Sequence, residues 1–158
     1  MKFGKRGTYG AAAALGFGAI VAGALVTAPL AGAVTPTTAT LNFNCGIWGS
    51  GSATLTATQN GTAATINLST SAITSPIDLA AGSVSSSLTM ANGSSGNVTF
   101  SGSSSPAISA GSAVSTGPLS GTVASGYSLN ATSLKVVVLG VTANCSATST
   151  QAPGPFVF

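Results

Sequence analysis

Between Ser52 and Ser69 the sequence reads SATLTATQNGTAATINLS, with apolar residues at every second position on both sides of one Asn-Gly pair. Successive side chains leave a strand on opposite faces, so this alternation predicts strands buried on one side and wet on the other. Asn60-Gly61 suits a two-residue type I′ turn, in which both central residues need positive φ. With that pair at the tip, Gln59 pairs with Thr62, Ala57 with Ala64, Leu55 with Ile66, and Ala53 with Leu68. All six apolar residues then share one face, while Thr56, Thr65, Thr54 and Asn67 take the other. Turn chemistry and hydrophobic pattern agree on which face is buried. A chain built around such a piece must fold as sheet.

The rest of the sequence repeats the pattern less strictly. Leu41, Phe43, Cys45 and Ile47 share one parity, against Asn42, Asn44 and Trp48. Val84, Leu88 and Met90 alternate with Ser and Thr, and Val98 and Phe100 follow the loop 91–96. Leu119, Val123, Tyr127 and Leu129 share a parity broken by Gly121 and Gly126. In LKVVVLGVTANCS, Leu134, Val136 and Val138 alternate with Lys135, and beyond Gly140 the inward set becomes Val141, Ala143 and Cys145. A one-residue slip at an isolated glycine predicts a β-bulge inside one last strand. Short strands with turns about every ten residues suggest an antiparallel sandwich or a small barrel. The expectation adopted is an all-β fold, one antiparallel β-sandwich, immunoglobulin-like or a related Greek key, of about seven to eight strands.

The N-terminus belongs to a different class of sequence. Lys2, Lys5 and Arg6 precede an uncharged Ala/Gly/Leu/Val-rich stretch that ends in Ala31-Gly32-Ala33. Basic, then apolar, then small-x-small is the layout of a secretory signal peptide, with cleavage expected after Ala33. The competing reading is a retained anchor, since the apolar run is long enough to span a bilayer; Pro29, the glycines and the cleavage site favour removal. The expected organisation is therefore a leader 1–33, a Thr/Pro spacer 34–38, a β domain 39–148 and a Pro/Gly-containing tail 149–158. Localisation follows as secreted, extracellular or cell-surface.

Removing the leader changes the charge argument. Of four basic residues only Lys135 remains, against the single acidic residue Asp78, so a formal +3 becomes +3 − 3 = 0. Nucleic-acid binding needs clustered Lys and Arg against phosphates, and no such cluster is left. Disorder is the other class a Ser/Gly/Thr-rich chain suggests, but that state goes with high charge and few β-branched residues. This chain is rich in Val, Ile and Thr.

The two cysteines, Cys45 and Cys145, both fall on inward parities near opposite ends of the domain. In an exported chain two such cysteines read as one disulfide rather than as a reactive thiol or a metal ligand. The bridge would close a loop of about 100 residues. Catalytic chemistry has little to work with. There is no His, so Ser-His-Asp catalysis has no base. One carboxylate side chain cannot form the paired-carboxylate site of a glycosidase. Zinc lacks ligands once the cysteines pair. Only a Ser–Lys dyad with Lys135 as base remains, and Lys135 reads more simply as a solvated strand residue. Asp78, in Ser75-Pro76-Ile77-Asp78, reads as a turn residue. No catalytic residue, metal site or cofactor is expected.

Trp48, flanked by Gly46, Gly49 and Gly51, is the one candidate ligand contact. An indole pairs an apolar face with a polar handle, which suits sugars or lipids; the other reading has it capping the core beside the disulfide. Asn-x-Ser/Thr sequons at Asn60, Asn67, Asn92, Asn97, Asn130 and Asn144 arise readily in so Ser/Thr-rich a chain. Pro155-Phe156-Val157-Phe158 faintly suggests the last strand of an outer-membrane barrel, but few aromatics are available for girdles.

With its leader, its inward Cys45, the segment GPLSGTV at 117–123 and Cys145 ahead of a Pro-containing end, the chain resembles small secreted two-cysteine β-sandwich proteins of actinobacteria. That resemblance implies an envelope or extracellular protein and carries over no functional residues. The function expected is a secreted, non-enzymatic structural or adhesive component of the cell envelope or extracellular matrix. The alternative is an extracellular binding module for a neutral ligand, glycan or lipid, built on Trp48 and adjacent loops. Partners in view are the envelope surface, a glycan or a second copy, and no nucleic acid.

Overall fold

The computed structural model describes residues 33–158. The expected leader therefore lies, apart from Ala33, outside the described residues. Nine strands form one sheet: β1 (Thr38–Asn44), β2 (Ser50–Asn60), β3 (Ala63–Thr74), β4 (Val84–Asn92), β5 (Asn97–Gly102), β6 (Ala113–Thr122), β7 (Ser128–Val138), β8 (Val141–Ala147) and the short β9 (Phe156–Val157). Every paired neighbour is antiparallel.

The sheet closes on itself, and this corrects the expectation of a sandwich. Its order is β4-β5-β6-β3-β2-β1-β8-β7, and β4 pairs with β7 from Val84↔Val138 to Asn92↔Leu129. Eight strands therefore form a barrel, with β9 added beside β7 through Leu129↔Phe156. An eight-stranded barrel has an interior just wide enough for side chains to fill. Phe43, Leu55, Ile66, Leu68, Leu88, Met90, Phe100, Leu119, Leu129 and Leu134 occupy it, all essentially inaccessible. Small inward residues such as Ala39, Ala53, Ala57 and Ala64 let the wall come close to that filling. Outward positions on β2 and β3 carry Thr54, Thr56, Thr58, Asn67 and Ser69. Apolar inside and hydroxylated outside is the inverse of a membrane-spanning barrel, whose lipid-facing band is apolar.

The hairpin of β2 and β3 forms with the expected faces but a different register. Asn60 pairs with Ala63, so Gly61-Thr62 form the turn and Leu55 faces Leu68, Ala57 faces Ile66 and Ala53 faces Thr70. Gly61 alone takes positive φ, +65°. That assigns the glycine to the first central position, as a type II′ turn requires, instead of asking Asn60 for a left-handed conformation. Each partner moves by two residues, so every side chain keeps its face. The second correction concerns Gly140. It is no bulge: Leu139 (φ +50°) and Gly140 (φ +84°) are the two central residues of a β7–β8 hairpin closed by Val138↔Val141. Two successive positive φ values define a type I′ turn.

Of three register shifts in the barrel wall, two carry their own repairs. Where β3 meets β6, the register slips between Asn67↔Pro118 and Ser69↔Ser115, and Pro118 has no N–H to give. The fully buried Thr116 fills the gap: its Oγ1 accepts from the Leu68 N–H at 3.2 Å and donates to the Gly117 carbonyl at 2.8 Å. In β7 the register slips between Thr89↔Ser133 and Met90↔Ala131, leaving Thr132 as an extra residue. The Ala131 N–H freed there donates to the Oε1 of Gln151 at 3.0 Å, and the Gln151 Nε2 donates to the Gly154 carbonyl at 2.9 Å. Residues 149–158 are thus packed onto the barrel, with Gln151, Phe156 and Phe158 buried. Val34 is buried too, and Thr35 pairs with Val157 at the same end.

Candidate functional site

The two ends of the barrel are built differently. At one end Phe156 and Phe158 are packed in. At the other, strands β1, β3, β5 and β7 finish and β2, β4, β6 and β8 begin. The long connections β3–β4 and β5–β6 cross this second end and are tied together by Leu79↔Ile108 and by the Asp78 carboxylate, which accepts from the Ala110 N–H at 2.8 Å. Asp78 thus ties two separate connections together, where the sequence suggests a local turn residue. The crossing leaves an opening between the Ser75–Leu79 stretch and the β7–β8 hairpin.

That opening is an apolar pocket of about 170 Å³. Its floor is Val114, Val136 and Ala143 from the barrel wall, and its sides are Ile73, Ile77, Leu79, Val138, Leu139 and Val141, with Trp48 at the rim. The polar groups nearby are used locally. The Ser75 hydroxyl donates to the Ile77 carbonyl at 2.5 Å, the Ser75 carbonyl accepts from Gly111 N–H at 2.6 Å, and Ser75 N–H donates to Ser112 at 3.1 Å. Among the described residues two buried side-chain polar atoms lack a partner, Gln59 Oε1 and Ser86 Oγ, and neither lines this pocket. The wall therefore offers contact surface and almost no hydrogen bonding.

Trp48 reaches the rim through the cysteine. Cys45 and Cys145 form a disulfide, each 2% exposed, with their Cα atoms 3.9 Å apart. Phe43↔Ala147 and Asn44↔Ser146 are the register pairs of β1 with β8, and the next position along that ladder is Cys45 opposite Cys145. The bridge thus continues a two-pair ladder covalently, at one of the thinnest seams of the barrel. From Cys45 the chain leaves the strand: Gly46 turns at φ +64°, Gly46–Trp48 form one 3₁₀ turn, and Trp48 N–H donates back to the Cys45 carbonyl at 3.2 Å. The Cys45 N–H is taken by Gly49 at 2.7 Å. A Cβ on Gly49 would lie 2.8 Å from the Ala72 carbonyl oxygen, so only glycine lets the turn rest on the end of β3.

This turn overturns one sequence expectation. Ile47 does not point inward with Leu41, Phe43 and Cys45; it is 93% exposed, because the alternation stops where Gly46 bends the chain out of the strand. Trp48 is 43% exposed and forms part of the pocket wall. Lys135 is exposed on the outward face of β7, opposite Ser87 of β4, on a shallow groove with Ser85 and Val137 and away from the pocket. The pocket's other lining residues carry no local sequence signal: Val136 reads simply as an inward strand residue, Ile73 lies off the inward parity of Ile66 and Leu68, and only closure of the sheet brings them together with Val114. Comparison with protein-family models, with curated proteins and with solved structures finds no match to this chain.

Proposed function

We propose that the protein is an exported, non-catalytic binding module that takes a small apolar group in the pocket at the open mouth of its barrel. The observation that carries this reading is the pocket's wall, overwhelmingly apolar and rimmed by Trp48, with the polar groups of Ser75 already bonded. A cavity of about 150 Å³ lined by Leu, Ile and Phe stays dry and accepts a benzene ring. The present pocket, at about 170 Å³, is of that size, so it suits one ring or the end of an alkyl chain. A glycan would have to give up hydration to a wall that returns few hydrogen bonds, which is costly. An exported location accords with the disulfide, and the actinobacterial secreted resemblance belongs to the same proposal. The structural or adhesive role draws on a different feature, the outward Ile47 and Leu139, and would use the rim without the pocket.

The test is a thermal-shift titration with toluene and hexanol, against soluble glycan fragments as controls. Saturable stabilisation by the apolar compounds is expected, since a ligand that binds only the folded state raises its midpoint by mass action. Ala143→Leu, which fills the floor, should abolish the shift. Equal shifts in that variant, or none in the parent, would refute the reading.

A further inference from the structure

We infer that the pocket mouth is a lipid-docking face: the rim seats in the interface of an uncharged bilayer, and the pocket takes the apolar end of a lipid presented there. This rests on the pocket reading above and names its ligand class. Among the described residues six large hydrophobic side chains are exposed; five (Ile47, Trp48, Ile77, Leu139 and Val141) stand at this mouth, and Val157 is elsewhere. Such clustering around a cavity is how a soluble surface marks an apolar partner.

Leu139 sharpens the inference. It holds the first central position of a type I′ turn at φ +50° and is the only non-glycine residue with positive φ among those described. Asn or Asp followed by Gly is what this turn favours, and leucine there is strained. The turn's own chemistry thus does not explain an apolar side chain that is 66% exposed at the tip. Contact with an apolar phase does. Trp48 adds an indole at the rim, the side chain that settles at the level of lipid headgroups.

Charge selects the kind of surface. Among the described residues the charged side chains are Asp78, bonded to Ala110 N–H behind the rim, and Lys135, on the outward wall of β7. Among the described residues these two do not form a basic cluster that would seek anionic headgroups, so docking by this face is apolar and matches a neutral bilayer.

Trp48 is the only tryptophan in the chain and serves as the reporter. Purified protein is mixed with vesicles of phosphatidylcholine, alone or with phosphatidylglycerol, at low and high salt. Its emission should shift to the blue, be quenched by acyl-chain-brominated lipid, and respond equally to both vesicles at either salt. Leu139→Asn supplies the residue the turn prefers, so its thermal midpoint should be no lower, yet its vesicle affinity should fall about tenfold or more. Val157→Thr, at the opposite end, should bind as the parent does. Unchanged affinity in Leu139→Asn would overturn the inference, as would binding only to anionic vesicles at low salt. Lipid-free dimers that Leu139→Asn dissociates would assign the rim to a second copy instead. Hexanol binding without vesicle binding would overturn docking and leave the pocket reading standing; loss of both would remove both.

Discussion

Reducing the Cys45–Cys145 bridge should remove several kcal/mol of stability, and the structure shows where the loss acts. The bridge spans a sequence separation of 100 residues. In the chain-entropy treatment a loop of that length constrains the unfolded state by about 4.7 kcal/mol. Domains of this size are stable by only about 5–15 kcal/mol, so the bridge is a large share of the total. It also sits at a thin seam. Beyond its two register pairs with β8, the outer edge of β1 is held by the strap 148–152, through Thr148 N–H to Asn42 at 2.8 Å and the reciprocal Thr40–Ala152 pair at 2.8 and 2.9 Å. These bonds survive reduction in the folded state, so a weakened but folded barrel is expected. With a urea m-value near 2 kcal/mol/M, the midpoint should drop by roughly 2–3 M. The assay is urea unfolding with and without reductant, followed by far-ultraviolet circular dichroism for the barrel and by Trp48 fluorescence for the turn hung from Cys45. Coincident midpoints, or two titratable thiols in the native protein, would show that the bridge does not stabilise the barrel.

Thr116→Val should destabilise by about 1–3 kcal/mol, because it strands the buried Leu68 N–H, whereas Thr116→Ser should recover most of the loss; chemical denaturation measures both. Gln151→Met keeps the side-chain bulk but leaves the Ala131 N–H unpaired, and a similar loss of about 1–3 kcal/mol should appear as a lowered melting temperature. Gly117→Ala should exceed both, since Gly117 lies at φ +69° and an added Cβ would overlap the Ser104 carbonyl; recovery of soluble, cooperatively melting protein at parental stability would contradict this.

What the sequence made legible was the sorting of side chains to two faces, and with it the disulfide. Leu55, Ile66, Leu88, Phe100, Leu119 and Leu134 all lie where alternation put them, because a period of two is a local property. Register is less local. Moving the β2–β3 turn from Asn60-Gly61 to Gly61-Thr62 leaves each residue on its face, so burial pattern cannot distinguish the two. Closure is not local at all. The pairing of Val84–Asn92 with Leu129–Val138 joins segments about forty residues apart, and a sandwich would give both strands the same inward and outward residues. The misread hairpin has a sharper cause: Leu139-Gly140 lacks the Asn or Asp that marks a type I′ turn, so an apolar run passed for one strand.

That same departure links fold to function. Turn positions such as Gly61 in its hairpin and Gly46 and Gly49 around the 3₁₀ turn follow their local chemistry. Leu139 breaks the rule, and Ile47 and Val141, at 50% exposure, stand outside the core their parities predicted; all three project at the mouth that holds the pocket. Sequences specify a fold by agreement between local preference and global structure, and they tend to violate it where something else is required. A barrel whose outer wall is hydroxyl-bearing has no structural use for exposed apolar residues gathered at one end. The opposite end shows the alternative: there Val34, Phe156 and Phe158 are folded in and the large apolar side chains are mostly covered. One mouth is packed with the chain's own residues; the other keeps an open apolar pocket, where the ligand proposed above would seat.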